Sequence, residues 1–422
     1  MGRYCLAALA AAVMIAPAAA QELGPASETT RYALDTGLFL IAGLGAILFV
    51  FAFGLRDIGL ARALHAPALC LRTIGLVGVT VFAFWATGYN LIHMIERGGL
   101  LGDFQFWLPD DADPLSVGYS SGAYWFFQMG LAAIPSAIVA SAVSERVKLW
   151  PLLIFSALMG GLIYPIVAAW VWGGGYFGDA WRLYDLGGAA AIHITGGSAA
   201  LAAAYIVGAR QGRFVDGVPQ RLSPSTALPL AAFAGGVGLI SWLAVLAGLG
   251  GSFSTIEAAI SAGSMAVNSI LAAAAAALTG LALTQIVYKR AGLVTSINAL
   301  FAGLVAISAD PLHPSLWQAV MIGAVGGVIV TVAPPFLERF RLDDAGFVIP
   351  AHLLCGAWGI IIVPWSNPDA WFPGQIAGLI AAAAFPLMLS GLVWTALKYS
   401  IGVRSRPPEE TQSELLREDI AP

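Results

Sequence analysis

Charged side chains are scarce in this chain. Lys, Arg, Asp and Glu make up 10% of its 422 residues, 59% are hydrophobic, and the mean hydropathy is +0.82. A water-soluble domain carries about a quarter charged residues, so a soluble fold of this composition would expose more apolar surface than water tolerates. Cysteine is nearly absent: Cys5, Cys70 and Cys355 stand far apart, which excludes a disulfide framework. No nucleophile or metal constellation supports an enzyme or a cofactor, and nothing in the pattern points to nucleic acid. What remains is an all-α polytopic membrane protein.

The first residues, MGRYCLAALAAAVMIAPAAAQ, run from Arg3 through an apolar stretch to Ala18-Ala19-Ala20. They read as a secretory signal peptide, residues 1–20, with an A-x-A cleavage site; a short first span is the alternative. Beyond it, apolar stretches of spanning length fall at 33–55, 71–95, 121–143, 151–173, 187–208, 227–249, 257–288, 292–309, 315–336, 346–364 and 374–398. That predicts eleven helices in a transmembrane domain over 21–398, followed by a charged tail at 399–422 that is flexible or lightly docked. If the first helix enters from outside, sixteen of the twenty Lys and Arg, from Arg56 to Arg417, fall on the cytoplasmic side, against Arg31, Arg97 and Arg182 outside. This positive-inside bias predicts an outer amino terminus and an inner carboxyl terminus.

Ionisable residues inside such helices ask for a reason. In YDLGGAAAIHITGG, Asp185 precedes His193 by eight residues and Gly197 follows four later; in DAGFVIPAHLLCG, Asp344, His352 and Gly356 repeat that spacing. One copy opens the fifth helix and the other the tenth. Five helices apart means opposite orientation, the mark of a five-plus-five inverted repeat plus a final helix, with its site where the halves meet. Each aspartate can cap its helix, and each histidine lies about 12 Å deeper at 1.5 Å per residue. A lone histidine reads equally well as a satisfied core residue. A symmetric pair can serve each other as donor and acceptor, whereas two imidazoles lack the three or four ligands zinc takes.

Other polar residues have plainer expectations. Ser254 and Glu257 read as a capping box opening the seventh helix, and Arg31 with Asp35 as an ordinary helix pair. His65, His93 and His313 fall in loops or near helix ends and are given no role.

The motifs WATGYNL, FFQMGLAAIPSAIVASAVSERVK, YPIVAAWVWGGG, YDLGGAAAIHI, SINALFAGLVAISA, DDAGFVIPAHLLCG and LKYSIGVR together resemble the ammonium transporter (Amt/Mep/Rh) superfamily over nearly the whole mature chain. The resemblance implies an eleven-helix protomer, usually in a homotrimer in the cytoplasmic membrane, with one pore per protomer. It implies that His193 and His352 line the apolar pore. Asp185 would support ammonium recruitment, Trp172 would face the cation in the outer vestibule, and Phe127 would stand at the gate.

Several positions depart from the family pattern. Leu131 replaces the vestibule phenylalanine, and SWLAVLAGLGG replaces W-F-G-F-N-A-G-S. Val245 thus stands for the other gate phenylalanine and Leu249 for the vestibule serine, with Ser252 only a short slip away. Leu353 replaces a small residue beside the second histidine. The tail lacks most of the acidic, glycine-containing pattern used with PII-type regulators, which argues against that partner. The expected function is transport of ammonium or ammonia with a reduced recruitment site. An ammonium-binding sensor, or a channel for another small solute such as methylamine or carbon dioxide, stands as the alternative.

Overall fold

A computed structural model describes residues 26–220, 222 and 227–405. The expected signal peptide, Arg221 and the tail beyond 405, with Arg406 and Arg417, lie outside the described residues. Within them, ten helices are long and apolar enough to cross a membrane. They are α1 (Glu28–Leu60), α2 (Ala63–His93), α3 (Ser121–Ala142), α4 (Leu149–Asp179) and α5 (Ala189–Val207), then α6 (Leu228–Leu249), α7 (Ile256–Tyr288), α9 (Leu316–Arg339), α10 (Ile349–Ser366) and α11 (Phe372–Ser400). Between α7 and α9 lies α8 (Leu293–Ser308), apolar but shorter at 16 residues. The spans agree with the apolar stretches read from the sequence to within a few residues at most ends.

The same helix pairings recur in the two halves. In the first half α1 packs on α3, α2 on α4 and α3 on α5; in the second α6 packs on α8, α7 on α9 and α8 on α10. The halves join where α1 lies along α6 and where α5 meets α10, and α11 lies along α5. One large apolar cluster and two smaller ones fill the interior of the described residues. Leu44, Phe233, Ile240 and Leu392 are exposed, an outer apolar surface that lipid accepts and water would penalise.

Local chemistry sets the helix ends. Ser27 caps α1 through the N–H of Thr30, and Ser315 with Gln318 forms a capping box on α9, satisfying donors that a helix start leaves free. The expected capping box on α7 is corrected: Thr255 is the cap, accepting from the Ala258 N–H, while Ser254 is bonded to Ser252. The cause is Asp35, whose carboxylate accepts the Ser252 hydroxyl at 2.9 Å and the Phe253 N–H at 2.7 Å and so fixes the turn before α7. Asp35 therefore ties α1 to the α6–α7 connection instead of pairing with Arg31; an exposed ion pair contributes little beside such buried bonds.

Arg56, just beyond the apolar stretch 33–55, lies inside α1 and is 0% exposed, and Arg72 within α2 is 6% exposed. Arg72 donates to the Val147 carbonyl. The start of the tail is docked: the Lys148 N–H donates to the Val403 carbonyl at 2.9 Å, the Ser405 N–H to Arg146 at 3.0 Å, and Arg404 to the Val207 and Ala209 carbonyls.

Candidate functional site

The two repeated motifs fold into matching turns. Gly188, with φ +81°, reverses the chain ahead of α5, a conformation that suits a residue without Cβ. The Asp185 carboxylate then accepts the N–H groups of Ala189, Ala190 and Ala191 at 2.7, 2.8 and 3.0 Å. Ahead of α10, Asp344 accepts the Ile349 N–H at 2.7 Å. Burial pushes Asp185 up to about 7 and Asp344 up to about 6, although the backbone N–H donors pull each back down. Each cap leads into one π-helical turn, Ala189–Ile194 and Ile349–Leu354. Such turns are rare and concentrate at functional sites; here each carries one histidine.

His193 and His352 meet at the centre, both 0% exposed, with their Nδ1 atoms 3.1 Å apart. That distance requires one ring to donate and the other to accept, so two protonated Nδ1 atoms are excluded. If both rings are neutral, the donor through Nδ1 has a bare Nε2 and the acceptor carries its proton on Nε2. Both Nε2 atoms are buried without a protein partner. The site thus presents one outward acceptor and one outward donor, an arrangement that suits a small molecule able to do both. Among the described residues no group of three or more His, Cys, Asp or Glu side chains could hold a metal ion.

The walls around the pair are aromatic. Trp242 packs 4.7 Å from the His193 ring, and its own Nε1 has no partner. Phe53 lies 5.4 Å from the His352 ring, with Phe49 and Phe301 against it. The glycines of the motif close the crossing. A Cβ on Gly197 would sit 2.6 Å from the Leu353 nitrogen, and one on Gly356 would sit 2.9 Å from the Ile194 side chain. Each glycine therefore faces the residue that follows the other histidine.

Of the residues singled out in the sequence, Trp172 and Asp185 are brought together: the Trp172 Nε1–H donates to the Asp185 carbonyl at 2.7 Å. The Asp185 carboxylate itself is 4% exposed and turned to the helix start, so its placement is that of a cap. Phe127 is buried and stacks at 5.8 Å on Phe39. Leu131 and Val245 are fully buried and Leu249 half-buried. Ser252 stays with Asp35, away from the histidines. Trp242, Phe53 and Arg56 had not been singled out. Trp242 stood in a segment read only for its departures, and an arginine near a helix end looks like a loop charge.

The turn bearing His352 is anchored from the basic face. Asp343, next to Asp344, accepts Arg210 at 2.9 and 3.0 Å and lies 3.6 Å from Arg213. Burial would raise the Asp343 carboxyl, but Arg210 and Arg146 outweigh it and hold it below the usual carboxylate range. Arg210 also pairs with Glu145 at 2.7 Å, which Arg62 holds at 2.6 Å.

Residues 37–414 match the model of the Ammonium Transporter Family. The ammonium transporter Amt2 of Archaeoglobus fulgidus is 31% identical over 373 residues, spanning 86% of this chain and 78% of its own. A putative ammonium transporter of Synechocystis sp., sll1017, is 32% identical over 90% of this chain and 86% of its own. Among solved structures, one described as a Sensor Amt Protein aligns with a TM-score of 0.84 at 25% identity, over 92% of this chain and 98% of its own. Candida albicans Mep2 aligns at 0.79 and 21% over 90% and 88%, a likeness of fold.

Proposed function

The chain belongs to the ammonium transporter family, and from that premise we propose that it passes ammonia across the cytoplasmic membrane through an apolar pore in each protomer of a homotrimer. The reading is carried by one observation, the buried His193–His352 pair with both Nε2 atoms free of protein partners. Moving an intact ammonium-sized cation into such surroundings carries an idealised cost of about 20 kcal/mol. Neutral ammonia avoids that cost. It accepts one hydrogen bond and donates up to three, so it can take the Nε2–H of one ring and donate to the bare Nε2 of the other.

The cation therefore gives up its proton before entry. Trp172, held by the Asp185 carbonyl, offers a ring face to the arriving cation, an attraction of about 0.5–2 kcal/mol. Leu131, Val245 and Leu249 add no charge or hydroxyl to that site, so recruitment is weak and the half-saturation high. Phe127 contributes apolar bulk near the entrance. The histidines carry the released proton separately, or only bind ammonia. Binding and orientation by His193 and His352 require no metal and no cofactor.

A second reading, ammonium binding without passage, is favoured by one finding: the match to the structure described as a Sensor Amt Protein. Proteoliposomes holding the full chain separate the two. An ammonium jump that evokes a saturable current, or an internal alkalinisation faster than in protein-free vesicles, establishes passage. Saturable ammonium binding with neither signal leaves the sensor reading in its place.

A further inference from the structure

Among the described residues, the charged side chain with the least exposure lies beside the histidines, and the reading above leaves it without a task. Arg56 is 0% exposed. Its guanidinium carbon stands 4.6 Å from the centre of the Phe53 ring, and that ring stands 5.4 Å from His352. Three groups hold the guanidinium: Nη1 donates to Asn298 at 3.1 Å, and Nη2 donates to Asp57 at 3.1 Å and to Ser141 at 2.5 Å. The Ser141 hydroxyl in turn donates to Asp57 at 2.7 Å. Phe53 and Phe301 are each 1% exposed and 5.4 Å apart. Helices α1, α3 and α8 thus converge on one cation, between His352 and the face that carries Arg62, Arg146 and Arg210.

We propose that Phe53 and Arg56 form a gate on the basic-face side of the histidine pair: the ring seals the path beside His352, and the guanidinium both pins the ring and repels any cation that reaches it. Burying an arginine inside a membrane protein is costly and points to a function, and a cation held over an aromatic face is favourable where water is excluded. The charge has a specific consequence. A unit charge about 10 Å away, at an effective dielectric near 20, disfavours a second cation on the order of tenfold, an effect that Asp57 offsets only in part. Neutral ammonia feels no such force. Opening requires Phe53 to leave the His352 ring while Arg56 keeps its three partners, a rotation of one side chain.

The gate is a device within the proposed ammonia path and rests on that reading, so its test has a readout that does not depend on transport. The full chain, with Cys5, Cys70 and Cys355 replaced by alanine, receives His352→Cys, and a membrane-impermeant methanethiosulfonate is applied from the basic face. With Phe53 present, modification at position 352 is slow; adding Phe53→Ala speeds it several-fold. Equal rates overturn the gate. In parallel, Phe53→Ala in the otherwise unaltered chain raises ammonia flux several-fold, and an unchanged flux where the parent conducts also overturns it. If modification depends on Phe53 while no variant conducts, the gate stands and the transport reading falls. The charge is tested with the neutral Arg56→Gln/Asp57→Asn, which leaves no orphaned ion. Because it removes the cation together with the carboxylate that offsets part of its field, the ratio of ammonium current to ammonia flux rises by less than about tenfold, and an unchanged ratio removes the charge barrier from the proposal.

Discussion

Gly197 lies so close to Leu353 that a Cβ on the glycine would come within 2.6 Å of the leucine backbone nitrogen. Leu353 follows His352 directly, so a feature of α5 fixes the position of the histidine on α10. Gly356 does the same in reverse against Ile194, the residue after His193. The pair is set by two reciprocal contacts related by the repeat.

Gly197→Ala puts a methyl group where backbone stands, and backbone does not yield as a flexible side chain would. The expected cost is about 1–3 kcal/mol, the range for overpacking a close-fitted interior. Thermal unfolding in detergent should fall accordingly, with a loss of flux from the displaced His352. Gly263→Ala, at a helical glycine with open space around its Cβ position, is the matched control and should leave both unchanged.

Replacing His193 or His352 by alanine removes the Nδ1–Nδ1 bond and leaves the other ring without its partner. Each substitution is expected to change conduction or the selectivity between ammonia and ions. The measurement is current alongside internal pH in the same vesicles. Transport unchanged in both variants would defeat the role proposed for the pair.

Trp172→Ala removes the aromatic face and the bond to the Asp185 carbonyl. An attraction of about 0.5–2 kcal/mol corresponds to a rise of about 2- to 30-fold in apparent half-saturation for ammonium. The maximal rate should change less than the half-saturation. No shift in half-saturation would remove Trp172 from recruitment.

Asp343 gives the fold a dependence on pH. Its carboxyl lies below the ordinary range in the folded chain because Arg210 and Arg146 outweigh the effect of burial. A depressed carboxyl contributes stability that is present above its unfolded value, about 3.9, and lost as pH falls through its folded value. Melting temperature should therefore drop as pH falls below about 4, and Asp343→Asn should flatten that part of the curve. At neutral pH the same variant leaves Arg210 and Arg146 short of a partner and should cost about 3–5 kcal/mol.

Much of the fold was legible in the sequence because a bilayer imposes simple rules. Spanning helices must be long and apolar, so the spans emerged from the apolar runs of the sequence. The repeat emerged from the spacing of Asp185, His193 and Gly197 against Asp344, His352 and Gly356, since two copies of one motif five helices apart already define a symmetry. The sequence did not determine which polar groups meet across helices. Asp35 and Ser252 are 217 positions apart, and hydrogen bonds between distant helices leave no periodic trace. For the same reason a local rule paired Asp35 with Arg31 and Ser254 with Glu257, while the folded chain gave Asp35 two donors, the Ser252 hydroxyl and the Phe253 N–H, and the cap to Thr255. Arg56 shows the limit most clearly. A basic residue near the end of an apolar run has the pattern of a loop charge, and only the convergence of Asn298, Ser141 and Asp57 on its guanidinium keeps it inside.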